Sequence, residues 1–268
     1  MNTRKLIWIS TMAVLAMAML AAPTRAVEAP MGTMTLFDPE DTFINSLDIP
    51  THPLAEYNYG GLYSCGACGG NVVRADIQKR PLLKFDLSGL HSGHVEITEA
   101  TLRWRTTFRI GTVGSFAFHR LTEPWVEGTG GTTSINGDFQ AGSVSWDARE
   151  EGAAVDDPTG QVDWATPGGT FDATPFHTAN NVTTANQQAF TFNQDGLDVL
   201  TDWANNPANN HGFIILVSPD TFETAFYNSE RAFSTDDERP RLDVTWIPEP
   251  ASLSLLAAGL LIGARRRR

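Results

Sequence analysis

Three tryptophans in turn-rich stretches, Trp125, Trp146 and Trp164, have the chemistry of sugar recognition. A flat indole stacks on the apolar C–H face of a sugar ring, and binding aromatics commonly sit on loops. Tyr57, Tyr59 and Tyr63 form a second aromatic group with the same capacity. Burial competes with this reading, because Val144-Ser145-Trp146 alternates like a strand that could point Trp146 into a core. Trp104, Trp203 and Trp246 fall at apolar phases of their segments and are expected in the core.

Carboxylates are abundant, so adjacency alone says little. Glu123 and Glu127 flank Trp125, Asp156-Asp157 lies in a polar stretch, and Asp236-Asp237-Glu238 precedes the last apolar segment. A glycoside hydrolase holds two carboxyl groups across a cleft, and no spacing here singles out such a pair. Calcium takes six to eight oxygen ligands. With no EF-hand-like loop, a structural Ca²⁺ would draw on scattered positions such as Asp38, Asp41, Glu230 and Asp243. A lyase would need His or Tyr together with Arg in one groove. His119 and Arg120 are consecutive on a strand-like segment and therefore point to opposite faces. Serine-hydrolase, P-loop and dinucleotide-binding signatures are absent.

The two cysteines stand in Cys65-Gly66-Ala67-Cys68. A redox pair wants its first thiolate at a helix N-terminus, and Gly69-Gly70 opposes a helix there. Zinc would need two further ligands, for which His52, His91 and His94 are the nearby candidates. In an exported chain, an oxidised Cys65–Cys68 clip is the favoured reading; its short ring would stabilise little.

The segments that must position these groups are nearly all strand-like. Leu102, Trp104 and Phe108 alternate with polar neighbours, Phe116 and Phe118 repeat the pattern, and Leu242, Val244 and Trp246 close it. Gly212 to Val217 is a continuous apolar run that suits a central strand. One helix is expected: Asn193 or Asp195 caps it, Leu197, Leu200 and Trp203 share a face, and Asn205-Asn206-Pro207 stops it. The expectation is an all-β single domain, a jelly-roll-type β-sandwich with one short helix.

Both ends are of a different kind. Arg4 and Lys5 precede an apolar run from Leu6 to Leu20, and Thr24-Arg25-Ala26 supplies small residues at a signal-peptidase site. Residues 1–26 thus read as a secretory signal helix, and 27–247 as the folded body. At the other end, Pro248-Glu249-Pro250 leads into an apolar run, Ala251 to Ala264, and then Arg265, Arg266, Arg267 and Arg268. A helix of ~14 residues spans about 21 Å, short of a hydrocarbon core of roughly 30 Å, and terminal arginines resist translocation. Residues 248–268 resemble the PEP-CTERM sorting signal in the order of triplet, apolar helix and arginine cluster. That resemblance implies handling by an exosortase-type membrane protease, transient anchoring in the inner membrane, and a final place at the cell surface or in the extracellular matrix of an exopolysaccharide producer.

Charge agrees with an extracellular polymer rather than nucleic acid. Residues 1–26 and 265–268 hold 7 of the 19 Lys and Arg and none of the 31 Asp and Glu, so residues 27–264 carry about −19. An acidic polysaccharide would require a local arginine cluster or bridging cations.

A second resemblance covers about residues 38–246. It rests on the order of Asn58-Tyr59-Gly60, Pro81 to Ser88, Ala100-Thr101-Leu102 and Trp125-Val126-Glu127-Gly128. It continues through Ser145-Trp146, Trp164 with Pro167-Gly168-Gly169, Asn210-His211-Gly212, Ser229-Glu230 and Arg239-Pro240-Arg241-Leu242. The body is similar in this to the DNRLRE-domain family, extracellular modules related to carbohydrate-binding modules. The hexapeptide that names the family is not present, and the Cys65–Cys68 region reads as an insertion. The likeness implies a jelly-roll sandwich, in which a structural Ca²⁺ is frequent, and a binding or structural role. The functional expectation is an exported, non-catalytic surface or matrix protein contacting polysaccharide. The alternative is a polysaccharide lyase or glycoside hydrolase on the same scaffold.

Overall fold

The computed structural model describes residues 31–46, 60–65, 70–76, 78–90, 93–110, 114–127, 131–132, 141–154, 159–182, 186–219, 223–227, 229 and 239–248. The strands in chain order are β1 (Gly32–Leu36), β2 (Glu40–Asn45), β3 (Gly60–Cys65), β4 (Gly70–Ala75), β5 (Lys79–Lys84), β6 (Val95–Ile110), β7 (Gly114–Arg120) and β8 (Gly131–Thr132). They continue with β9 (Ala148–Glu150), β10 (Val162–Asp163), β11 (His177–Val182), β12 (Asn186–Thr191), β13 (Phe213–Ser218), β14 (Glu223–Tyr227) and β15 (Arg241–Pro248). Helix α1 (Gln194–Asn205) lies between β12 and β13 and is followed by a 3-10 turn, Pro207–Asn209. Among the described residues the fold is all-β with this single α-helix.

Most of the strands form two antiparallel arrays, while β9 and β10 pair separately and β8 joins β3 in parallel. In one, β12 and β15 flank the first part of β6, β1 pairs outside β15, and β14, β4 and β3 follow. In the other, the order is β2, β5, β13, β7, β11. Phe43↔Gly61 and Ile44↔Gly60 join β2 to β3 and so link the arrays. The period-two pattern places Leu102 and Trp104 of β6 and Leu242, Val244 and Trp246 of β15 in one apolar cluster. Phe43, Leu83, Phe116, Phe118, Phe213 and Ile215 of the second array join it. Phe226 stacks on Trp104 at 4.1 Å and meets Phe116 edge-on at 5.6 Å, so aromatic rings close the space between the arrays.

The helix forms where its cap predicts. Asn193 Oδ1 accepts from Gly196 N at 3.3 Å, and Leu197, Leu200 and Trp203 are buried on one face. Asn205 is its last residue, and Pro207 cannot extend it. Arg120 Nη2 on β7 donates to Asp202 Oδ2 at 2.6 Å and ties α1 to the second array. Partial burial pushes the Asp202 carboxyl up. Hydrogen bonds from Arg120, Asn206 and Asn209 outweigh it and hold the group below its ordinary value.

The second array is buried on both faces. Ile44, Leu82 and Ile214 point away from the first cluster and would meet water if nothing covered them. The long connection from β7 to β11 folds back over them, bringing Leu121, Trp125, Val144 and Trp164, with Trp146 and Phe171 at the margin. β13, with an apolar residue at each of its first five positions, accordingly lies between β5 and β7.

Candidate functional site

The second cluster corrects the expectation for two tryptophans. Trp125 and Trp164 are only 5% and 4% exposed, so neither offers an open face to a sugar. Their indole N–H groups are also used internally: Trp125 Nε1 donates to the His211 carbonyl at 2.9 Å and Trp164 Nε1 to the Ser145 carbonyl at 3.0 Å. Both are core residues carried on non-repetitive chain. Trp146 is half-buried, and its ring lies under the Arg80 guanidinium, 4.3 Å from the ring centroid. Arg80 Nη1 donates to the Gly168 carbonyl at 2.6 Å, and burial lowers the guanidinium from its ordinary value. Tyr63 pairs with Val72 and Thr132 in the backbone register of β3; Tyr57 and Tyr59 lie outside the described residues.

Three of the carboxylates proposed for calcium make contacts within the protein. Asp38 accepts from Arg239 Nη1 at 3.1 Å, Asp41 Oδ2 accepts from Ser229 N at 2.8 Å, and Asp243 Oδ2 accepts from Arg103 Nε at 2.6 Å. Glu230 lies outside the described residues. Among the described residues, no three His, Cys, Asp or Glu side chains come together as a metal-holding group. Asp38, Asp41 and Asp243 are thus distributed over separate ion pairs and backbone contacts.

His119 and Arg120 divide between faces as alternation requires. His119 is buried, donates from Nδ1 to the Asp172 carbonyl at 2.8 Å and meets Phe171 edge-on, while Arg120 turns to Asp202. The last described pair of the β3–β4 ladder is Cys65↔Gly70. Cys68, and with it the proposed disulfide, lies outside the described residues. At the C-terminus β15 ends on Pro248; Glu249, Pro250 and Arg265 to Arg268 also lie outside.

One concave surface among the described residues was not among the expected sites. On the outer face of β1, β15 and β6 lies a trough of about 410 Å³, whose lining includes Thr33, Thr35, Thr101, Thr245, Glu99 and Asp243. The alternation that buries Leu102, Val244 and Leu242 turns these residues outward. The cross-strand register produces an unbroken polar row, Thr191–Thr101–Asp243–Thr35, over four strands. Thr35 Oγ1 donates to Asp243 Oδ1 at 2.8 Å, and the Thr101 and Thr191 hydroxyls are 3.0 Å apart. Hydroxyls that both donate and accept suit a polyhydroxylated ligand. In the sequence the signal was visible only as polar residues interleaved with core positions; their assembly depends on register between distant strands. A second cleft of about 310 Å³ near α1 is lined by Asp38, Glu40, Lys84, Asp86 and Trp203, and its Lys84 and Glu40 pair with each other at 2.7 Å.

No protein-family model and no curated protein matches this chain.

Proposed function

We propose that the chain is an exported, non-catalytic surface or matrix protein, and that its jelly-roll-type sandwich contacts extracellular polysaccharide through the outer face of β12, β6, β15 and β1. The observation that carries the reading is the boundary at Pro248: the last strand ends on the first residue of the Pro-Glu-Pro triplet. Among the described elements, only β15 reaches the segment that resembles a sorting signal, and it shares Pro248 alone with it. Cleavage after the triplet by an exosortase-type protease would release a body that keeps its described strand pairing, and signal peptidase would act before β1 begins at Gly32. The hydroxyl-lined trough supports the polysaccharide part of the reading. It is open and polar, which suits a repeating chain with many weak contacts rather than a single deeply held small molecule.

The test is the intact mass of the protein recovered from outside the cell. A C-terminus within a few residues of Pro248-Glu249-Pro250, with the N-terminus near Val27, is the expected result. A mature protein that still ends at Arg268 contradicts the sorting part of the proposal.

A further inference from the structure

We infer that the outer edge of β1 pairs with the same edge of a second copy of this chain, antiparallel and centred on Met34, to form a two-fold dimer. Among the described residues, β1 pairs only with β15, so its other side ends the first array. The strand reads Gly-Thr-Met-Thr-Leu, with no charge, no proline and no shift in its register against β15. Sheet edges that stay single carry such a device or are covered. The same array shows a cover elsewhere. Where β12 leaves the start of β6 unpaired, Asn205 of α1 accepts from Val95 N and donates to the Val95 carbonyl, both at 2.8 Å. Thr201 Oγ1, one turn earlier on α1, accepts from Ile97 N at 3.0 Å. The helix thus closes that edge, and among the described residues nothing does the same for β1.

The exposed apolar side chains decide what fits this edge. Of the four exposed large hydrophobic residues among those described, three are Met31 at 67%, Phe37 at 42% and Met34 at 38%, on β1 or immediately beside it. Met31 and Phe37 stand three residues before and three residues after Met34. An antiparallel pairing that sets Met34 against the partner's Met34 therefore also sets Met31 against the partner's Phe37, and Phe37 against the partner's Met31. Directly opposed residues approach to about 4.5–5.5 Å, so each thioether meets an aromatic ring. Gly32 faces the partner's Leu36 and Thr33 the partner's Thr35, so no like charges meet along the strand. This spacing is self-complementary, as an isologous two-fold contact requires, and one such edge per copy closes the assembly at two chains. Thr33 and Thr35 stand opposite Thr245 and Asp243 on the outer face, so the dimer carries the polar row from Thr35 onto the partner's Thr33. A contact this short buries far less than a standard interface of roughly 1,600 Å², and two acidic bodies repel, so the dimer is weak.

The experiment is sedimentation equilibrium of the exported protein from about 1 μM to about 1 mM at fixed low salt, with two double variants at the exposed positions. The native protein should pass from one chain to two over this range. M31K/F37K sets lysine against lysine across the axis and should dimerise at least about tenfold more weakly, with the melting temperature retained. M31K/F37E removes the same apolar surface but sets lysine against glutamate, and should dimerise at least about tenfold more tightly than M31K/F37K. Net charge predicts the reverse order, because M31K/F37K leaves the acidic body with the smaller negative charge. The order of the two variants therefore reads the pairing across the edge. A native protein that stays monomeric to about 1 mM overturns the inference, as does a dimer unchanged within about twofold in M31K/F37K. M31K/F37E no tighter than M31K/F37K overturns it as well, and so does assembly beyond two chains. Polysaccharide enters none of these outcomes, so the inference stands or falls independently of the function proposed above.

Discussion

Arg80 lies over Trp146 with its guanidinium carbon 4.3 Å from the ring centroid, and the same guanidinium donates to the Gly168 carbonyl at 2.6 Å. A cation from β5 thus fastens the long β7–β11 connection at two points, one aromatic and one backbone. The connection is thereby a covering layer over Ile44, Leu82 and Ile214 rather than a set of free loops. This places Trp125 and Trp164 of the connection in the service of stability, and the contact surface proposed above lies on the other array.

Trp164→Ala should therefore cost about 3–5 kcal/mol, because it empties a buried site and leaves the Ser145 carbonyl without its indole donor. Trp125→Ala should behave similarly through the His211 carbonyl. Urea denaturation of each variant checks this. A Trp164→Ala protein with an unchanged midpoint but lost polysaccharide retention would restore the sugar-stacking role that its burial denies.

Gly168 has φ +87, and a Cβ there would come 2.5 Å from Arg80 Nη1 and 2.6 Å from the Trp146 ring. Gly168→Ala should destabilise by at least about 1–2 kcal/mol from the left-handed backbone alone, and by more from displacing the Arg80–Trp146 contact. Gly89→Ala, whose Cβ would meet nothing within 4 Å, is the control and should change the melting temperature little. Equal melting temperatures for the two variants would show that the fastening contact is not formed.

Much of this architecture was legible in the sequence, and what was not has a common cause. The alternation of Leu102 with Trp104 and of Leu242 with Val244 and Trp246, and the Asn193 cap, are local signals, and each stands in the fold where its period placed it. Leu121, Trp125, Val144 and Trp164 lacked any period because they are single anchors spread through Gly-, Asn- and Asp-rich chain. Their burial arises from the return of that chain over a sheet face. The Arg241–Arg103 opposition was equally hidden, since pairing between β15 and β6 decides it and nothing local to either strand reports it.

Burial raises the Glu151 carboxyl above its ordinary value; a hydrogen bond with Ser145 opposes the shift, and the negative charges of Asp147 and Asp163 add to it. A carboxyl raised in the folded state contributes stability that is complete below its unfolded value of about 4.3 and lost as pH climbs through the folded value. Glu151→Gln removes this loss. The variant should melt higher than the native protein at pH 7, and the difference should close as pH falls toward 4. Paired thermal melts across that range provide the check; a variant less stable than the native protein at pH 7 would contradict the assignment.

The role proposed for the body is to hold polysaccharide without cleaving it. Its most direct measurement is equilibrium retention of the secreted protein on matrix polysaccharide from the producing cells, with reducing and unsaturated chain ends followed in the same samples. An open polar face with a few charged contacts predicts dissociation constants in the micromolar to millimolar range, roughly −4 to −8 kcal/mol, with no new chain ends over time. Absence of retention at millimolar ligand, or a steady release of chain ends by the purified protein, would contradict it.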